Sequence, residues 1–195
     1  MMKPLKDSLS ESLLDDFGKQ SGELVKRRRM EEWVKRHNEY KTYFHINNDL
    51  TIDIDSFGYI GRGNFPEYIQ FNKCNGDFFV SNSSITSLKG CPRWVGEDFA
   101  CNGNLLKTLE GGPEHVEMDY YCTGCGLKTL KGSPSYVGRD FRCTNNNIKS
   151  LKDGPRYVGY IYFCTKNPIS ENEIKWAKSH VDFEKMYTDL GKVEK

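Results

Sequence analysis

Apolar and turn residues recur every 21 positions through the middle of the chain. In one repeat, Phe99 and Cys101 alternate with polar residues, Asn104 follows, and Leu106 and Leu109 complete the pattern. The alternation predicts one short strand per repeat, and the asparagine is expected to turn the chain out of it. Gly and Pro after the second leucine exclude a long helix on the return path, which is therefore extended or a single turn. The columns are Leu88, Leu109, Leu130 and Leu151; Pro92, Pro113, Pro134 and Pro155; Val95, Val116, Val137 and Val158; and Cys101, Cys122, Cys143 and Cys164.

The pattern predicts an α+β, mainly β fold, a solenoid of parallel strands with about five to six rungs. Ser21 is expected to cap an amphipathic N-terminal helix, and the capping box Ser170–Glu173 to open a C-terminal one. Such helices would cover the ends of the solenoid. The predicted organisation is an arm over 1–20, a cap helix over 21–48, the solenoid over 49–169, and a cap helix and tail over 170–195.

The repeats carry a motif that resembles a known family. They read LKGCPRWVGEDFACNGN, LEGGPEHVEMDYYCTGC and LKGSPSYVGRDFRCTNN. They resemble leucine-rich repeats of the small bacteriophage and bacterial type, L-x-x-L-x-G-x-P-x-x-V-G-x-D-F-x-C-x-x-N. The resemblance covers roughly Asp49 to Pro168, and departs from the pattern at Cys125, which replaces Asn, and at Glu117 and Met118. It implies a phage-encoded protein within a larger assembly, such as the virion. The arm, with Leu9, Leu13, Leu14 and Phe17, resembles short N-terminal segments of gut-phage proteins and would act as a second tether.

Composition narrows the classes of function. The 28 Lys and Arg residues against 27 Asp and Glu residues argue against a polycation, and 13% aromatic residues indicate a packed chain. No apolar run is long enough to span a membrane or form a signal-peptide core, so no membrane partner or secretion by a signal peptide is expected. We expect the host-cell cytoplasm, the virion, or both. An odd number of cysteines, seven, is typical of reduced thiols, and the inward Cys column is interpreted as small core filler.

Two outward columns are the candidate partner-binding surface. Asp77, Asp98, Asp119 and Asp140 share one position beside the predicted strand. Each could accept backbone N–H groups of its own turn, the column could attract a basic partner, or it could bind calcium. The next outward column varies between repeats, and Phe, Tyr and Arg are common interface anchors. The N-terminal arm or the C-terminal helix could instead cover these aromatic residues. The candidate residues are Phe79, Asp98, Asp119, Tyr121, Asp140, Arg142 and Phe163.

Other chemistry has less support. His37, His45, His115 and His180 are scattered, and no catalytic, phosphate-binding or dinucleotide motif is present, so we expect no enzyme, no cofactor and no metal. The favoured partner is a protein, either a phage structural protein or a host protein. Alternatives are an inhibitor or decoy of a host defence protein and a nucleic-acid-binding accessory protein. The nucleic-acid alternative depends on basic residues at Lys26–Arg29, Lys107, Lys128 and Lys149, Lys89, Lys131 and Lys152, and Arg93 and Arg156.

Overall fold

The structure, a computed structural model, describes residues 11–194, with side chains from residue 18 onward. The chain divides into two units, residues 1–36 and 37–195. The described part of the first unit belongs to helix α1, Glu11–His37. This helix begins ten residues before the predicted start, so residues 11–20 are helical and not an irregular arm. Ser21 is not its cap, because the Ser21 hydroxyl donates to the Gly18 carbonyl inside the helix at 3.0 Å.

The second unit is a β-solenoid of about six turns, which confirms the predicted fold class. It begins with β1 (Phe44–Ile46), which pairs antiparallel with β2 (Ile52–Ile54). Parallel strands then form two ladders that run side by side along the solenoid. The first ladder continues from β2 through β4 (Phe71–Cys74), β6 (Trp94–Val95), β8 (His115–Val116) and β10 (Tyr136–Val137). The second contains β3 (Phe57–Gly58), β5 (Phe78–Phe79), β7 (Phe99–Ala100), β9 (Tyr120–Tyr121) and β11 (Phe141–Arg142).

Each repeat therefore has two short strands, so the prediction of one strand per repeat was wrong. The additional strand lies on the return path. It contains the repeated valine and the residue before it, such as Trp94 and Val95, which pair with the equivalent residues of the neighbouring coils. Glycine follows the valine in three of the four repeats, with Glu117 in the other, and at two of these glycines the coils approach closely. A Cβ atom on Gly96 would lie 2.0 Å from the Asn75 carbonyl oxygen, and one on Gly138 would lie 1.9 Å from that of Glu117. Extended return segments at this spacing complete each other's backbone hydrogen bonds, which a single strand per coil would leave open.

The core is a narrow strip of stacked side chains. Rings at the first inward position of the second ladder lie over one another, with centroid separations of 4.9 Å between Phe99 and Tyr120 and 5.3 Å between Tyr120 and Phe141. All seven cysteines are buried free thiols, as expected for core filler. The full ring column, buried throughout, is Phe57, Phe78, Phe99, Tyr120, Phe141 and Tyr162.

Buried asparagines tie successive coils together. The Asn146 side-chain oxygen accepts the N–H groups of Cys125 and Leu127 at 3.0 Å each. Its NH₂ group donates to the carbonyls of Cys122 and Cys143 at 2.9 Å each. Asn104 makes the same four bonds two coils earlier. Cys125 occupies the position between them, and its thiol donates to the Cys101 carbonyl at 3.0 Å.

The C-terminal region continues the sheet. Strand β12 (Tyr157–Phe163) is long enough to pair with both ladders. Helix α2 (Glu171–His180) has the predicted cap, since the Ser170 side chain accepts the Glu173 N–H. After α2, strand β13 (Asp182–Thr188) pairs parallel with β12, and β14 (Gly191–Glu194) closes an antiparallel hairpin. This hairpin replaces the expected tail, because Phe183, Met186 and Thr188 are buried and cover the last coil as part of a strand.

Candidate partner-binding surface

The variable outward column lies on the second ladder and forms one continuous row. We call Phe79, Ala100, Tyr121, Arg142 and Phe163 the outer row. Parallel register places each member beside the next across neighbouring coils. Four members are half-buried, whereas Ala100 is buried and contributes little surface. The predicted candidates are therefore brought together on one face of the solenoid.

Beneath the outer row, the four aspartates form a hydrogen-bonded ladder across the coils. The Asp77 carboxylate accepts the Asp98 N–H at 3.1 Å, and the Asp98 carboxylate accepts the Asp119 N–H at 3.0 Å. The series continues from Asp119 to the Asp140 N–H at 2.9 Å and from Asp140 to the Ile161 N–H at 3.1 Å. The prediction that each aspartate accepts N–H groups of its own turn was wrong. Each carboxylate accepts instead an N–H group 21 residues later, in the following coil.

The aspartate ladder is partly withdrawn from solvent. Asp119 and Asp140 are buried, with 8% and 6% of their surface exposed, while Asp98 is half-buried. Burial raises the pKa of Asp98, and the nearby carboxylates of Asp119 and Asp77 raise it further. The carboxylates therefore act first as acceptors within the fold. The acidic character available to a partner is concentrated at the half-buried end, Asp77 and Asp98.

The second oxygens of two aspartates hold the outer row in place. The Tyr121 hydroxyl donates to Asp119 Oδ2 at 2.7 Å, and Arg142 Nη2 donates to Asp140 Oδ2 at 2.6 Å. Burial raises the pKa of Tyr121, and the hydrogen bond to Asp119 raises it further, so this phenol stays neutral. Since residues i and i+2 of a strand share a face, each aspartate reaches the outward side chain two positions later.

Stacking joins the row members to one another. The Arg142 guanidinium carbon lies 4.1 Å from the centroid of the Phe163 ring and 5.8 Å from that of Tyr121. The rings of Phe163 and Tyr187 are stacked at 5.2 Å, so β13 extends the row by one more aromatic residue. At the other end, Tyr40 meets Phe79 edge-on at 6.3 Å. From Tyr121 to Phe163 the row is thus a rigid strip of aromatic and guanidinium groups with part of its surface open, and Ala100 separates this strip from Phe79.

The first ladder carries a second aromatic column that sequence reasoning missed. The His115 and Tyr136 rings are stacked at 4.3 Å, and Tyr136 and Tyr157 are stacked at 4.9 Å. Trp94 continues the column, with the Lys73 ammonium 4.6 Å from its ring centroid. A signal was present, because Trp94, His115, Tyr136 and Tyr157 are all aromatic at the repeat spacing. It was overlooked because the return path was not expected to be a strand.

The basic corner residues are exposed but interleaved with acids. Lys131 pairs with Glu110 at 2.8 Å, and Arg93 pairs with Glu114 at 3.0 Å. These pairs border a groove of about 730 Å³ whose floor includes Gly90, Gly111 and Gly132. The groove therefore has mixed charge, which is not the uniformly positive surface that nucleic acid selects.

Leu9 and the side chains of Leu13, Leu14 and Phe17 lie outside the described residues. Within residues 11–194, neither helix combines the length and apolar character needed to cross a membrane. The described chain also holds no group of three or more His, Cys, Asp or Glu side chains arranged to bind a metal ion. No protein-family model, no curated protein and no solved structure matches the chain.

Proposed function

We propose that this protein is a non-catalytic solenoid that binds a protein partner through the outer row. The observation that carries the proposal is the rigid strip formed by Tyr121, Arg142 and Phe163. Their contacts with Asp119, Asp140 and one another are already made in the free protein. Side chains that are ordered before binding lose little conformational entropy on association. Tyr and Arg are also enriched among the residues that dominate interface energies.

The proposal extends to the setting of the protein. The repeat motif resembles leucine-rich repeats of the small bacteriophage and bacterial type, which supports a role as a phage-encoded component of a larger assembly. The partner would be a phage structural protein. Binding of a host defence protein as an inhibitor or decoy would use the same surface. Nucleic-acid binding is less favoured, because acidic residues are interleaved with the basic corner.

The outer row can be tested against the second aromatic column on the same solenoid. The tagged full-length protein is used to capture partners from the phage-producing host, and recovered chains are quantified by mass spectrometry. The test variant is Tyr121→Ala with Phe163→Ala, and the matched control is Tyr136→Ala with Tyr157→Ala. Both variants remove two partly exposed aromatic rings from one ladder, and the test variant also loses the hydrogen bond from Tyr121 to Asp119, so a Tm measurement on each variant checks that it is folded.

The proposal expects a partner that is recovered with the wild type and the control but is lost with the outer-row variant. Loss of the partner with the control variant, together with its recovery with the outer-row variant, would indicate that the binding site lies on the first ladder. Equal recovery with all three proteins would refute binding through either face. Presence of the chain in purified particles would support the assembly role, whereas its confinement to infected-cell cytoplasm would favour the host-directed alternative. Binding of DNA or RNA that weakens steeply with salt would support the nucleic-acid alternative.

A further inference from the structure

Arg142 shows how a guanidinium group is held within the outer row. Its Nη2 donates to Asp140 Oδ2 at 2.6 Å, and its guanidinium carbon lies 4.1 Å from the centroid of the Phe163 ring and 5.8 Å from that of Tyr121. The carboxylate comes from the residue two positions earlier, and the two rings come from the coils before and after. The backbones of those coils are two strand spacings apart, roughly 9–10 Å. This distance accommodates one planar group between two aromatic side chains.

The same surroundings recur at Ala100, where the row has no long side chain. Ala100 pairs with Phe79 in the preceding coil and with Tyr121 in the following coil. Asp98 stands two positions before Ala100, as Asp140 does before Arg142. We call the space above Ala100, between the Phe79 and Tyr121 side chains and beside Asp98, the row slot. Ala100 is 8% exposed, as expected for the floor of such a slot.

The carboxylate beside the slot has an oxygen without a partner. Asp98 Oδ1 accepts the Asp119 N–H at 3.0 Å. Asp119 and Asp140 use their second oxygens to bind the outer-row side chains two positions later. Within residues 18–194, the second oxygen of Asp98 has neither a hydrogen bond nor an ion pair, because alanine at that position has no donor. Burial raises the pKa of Asp98, and the nearby carboxylates of Asp119 and Asp77 raise it further. A bound cation would offset both effects.

Nearby side chains of the same chain are engaged elsewhere. Arg139 Nε lies 3.9 Å from Asp119 Oδ1, one coil beyond the slot. The Tyr40 ring covers Gly58, the other small residue of this column, since a Cβ atom on Gly58 would lie 3.1 Å from it. Tyr40 therefore fills the space on the opposite side of Phe79 and meets that ring edge-on. In the described part of the chain, the hydrogen bonds and ring contacts of Phe79, Asp98 and Tyr121 place no other side chain over Ala100.

The chemistry of the row slot favours arginine over lysine. A guanidinium group is planar, stacks on aromatic faces and can donate to a carboxylate at the same time. An ammonium group is a compact, strongly hydrated charge that matches two facing rings less well. An arginine entering from solvent would take the position that Arg142 takes two coils later. Its N–H groups would donate to the second oxygen of Asp98, and its plane would lie between Phe79 and Tyr121.

We propose that the protein partner bound by the outer row inserts an arginine side chain into the row slot, where it binds Asp98 and stacks between Phe79 and Tyr121. This inference rests on the proposed function and specifies the chemistry of the partner. The rings and the carboxylate are held by the solenoid before binding, so the partner meets a site that is already formed.

The first test uses the full-length protein without a partner. Proton–nitrogen NMR correlation spectra are recorded during titration with N-acetyl-arginine amide, and separately with N-acetyl-citrulline amide, which has a similar shape but no charge. The arginine compound should shift the amide signals around Ala100 saturably, and the citrulline compound should not. Ala100→Arg fills the slot from within and should abolish these shifts. The matched control Leu105→Arg changes a residue of the same repeat that is 63% exposed and should leave them unchanged.

Two results of the titration would overturn the inference. One is the absence of saturable shifts with the arginine compound, and the other is equal shifts with the citrulline compound or with Ala100→Arg. Because Arg142 occupies the equivalent position of the same row, Ala100→Arg is expected to fold. Asp98→Asn provides a second variant that should also remove the shifts, and it keeps an oxygen that can accept the Asp119 N–H.

The second test repeats the partner capture with Asp98→Asn, Ala100→Arg and the matched control Asp77→Asn. Asp98→Asn should lower partner recovery roughly 10-fold or more, because it removes a hydrogen bond between charged groups. Asp77→Asn removes the same charge one coil away and should lower it less. Full recovery with both Asp98→Asn and Ala100→Arg would overturn the inference. If the outer-row variant then still loses the partner, the proposed function stands; if that variant also keeps the partner, both fail.

Discussion

Replacing Cys125 by asparagine is expected to stabilise the protein. Cys125 stands in the same column as Asn104 and Asn146, which each accept two backbone N–H groups and donate to two carbonyls. The Cys125 thiol donates to the Cys101 carbonyl at 3.0 Å and more distantly to that of Thr123 at 3.7 Å. By the repeat spacing, Cys125→Asn would accept the N–H groups of residues 104 and 106 and donate to the carbonyls of residues 101 and 122.

The size of the effect can be worked out from these contacts. The substitution exchanges weak thiol contacts for four amide hydrogen bonds, and each ordinary bond contributes about 0.5–1.5 kcal/mol net. These net values already include desolvation of the amide, but fitting a larger side chain into a packed coil offsets about 1–3 kcal/mol of the gain. The free energy of unfolding should therefore rise by about 1–2 kcal/mol. For a chain of this length, the corresponding increase in Tm is roughly 2–8 °C.

Differential scanning calorimetry under reducing conditions measures the change. The reciprocal variant Asn146→Cys should lower Tm, because it removes four satisfied bonds and leaves buried N–H groups without an acceptor. Cys143→Ala controls for the removal of a buried thiol and should also lower Tm by creating a cavity. A Tm for Cys125→Asn at or below that of the wild type would refute the reasoning, since it would show that the coil at residue 125 cannot adopt the asparagine geometry of its neighbours.

Three further predictions concern the ladder, the core and alkaline pH. Asp119→Asn keeps an acceptor for the next coil and should change stability little, whereas Asp119→Ala should cost about 1–3 kcal/mol in urea unfolding; equal losses would show that the charge matters more than the acceptor. Gly154→Ala should lower Tm because its Cβ would lie 2.7 Å from the Tyr162 hydroxyl, and adding Tyr162→Phe should recover part of that loss; an unchanged loss in the double variant would contradict this account of the packing. Burial raises the pKa of Cys74 and of Cys164 to about 12, so unfolded thiols ionise at lower pH than folded ones. The free energy of unfolding should therefore be unaffected below about pH 8.5 and should fall between there and about pH 12, by about 1.4 kcal/mol per pH unit for each thiol. Denaturant titrations at increasing pH measure this change, and a free energy that does not vary with pH would contradict burial of the thiols.

The sequence predicted the positions of the core well because the repeat reports burial directly. Each inward position must hold an apolar side chain in every coil, so the positions equivalent to Phe99 hold Phe or Tyr, and those equivalent to Leu106 hold Leu or Ile. Each tyrosine of the ring column is also accompanied by a glycine eight residues earlier in the sequence. Gly154 stands where the Tyr162 hydroxyl needs space and Gly112 is the matching residue in the coil of Tyr120, whereas Ser133 accompanies the smaller ring of Phe141.

Local patterns were less informative at the ends of the chain. The capping box at Ser170 predicted the start of α2, but the Glu173 carboxylate accepts the Leu151 N–H at 2.8 Å and serves the preceding coil. The following strand, β13, depends on the free edge of β12, which a local pattern does not report. The early start of α1 was missed because residues 11–20 are mostly polar, so no amphipathic pattern stood out before Ser21.

The sequence by itself determined that the chain is a solenoid, because few other folds place apolar residues at a strict period of 21 residues. It also placed the outer row on one face, since alternation along a strand needs no tertiary information. Only the tertiary structure decided what the aspartates do. The backbone N–H groups that donate to them lie one coil away, so these hydrogen bonds depend on the register between coils and not on neighbours in sequence. The same register turned the return path into a second ladder and aligned Trp94, His115 and Tyr136 into a column.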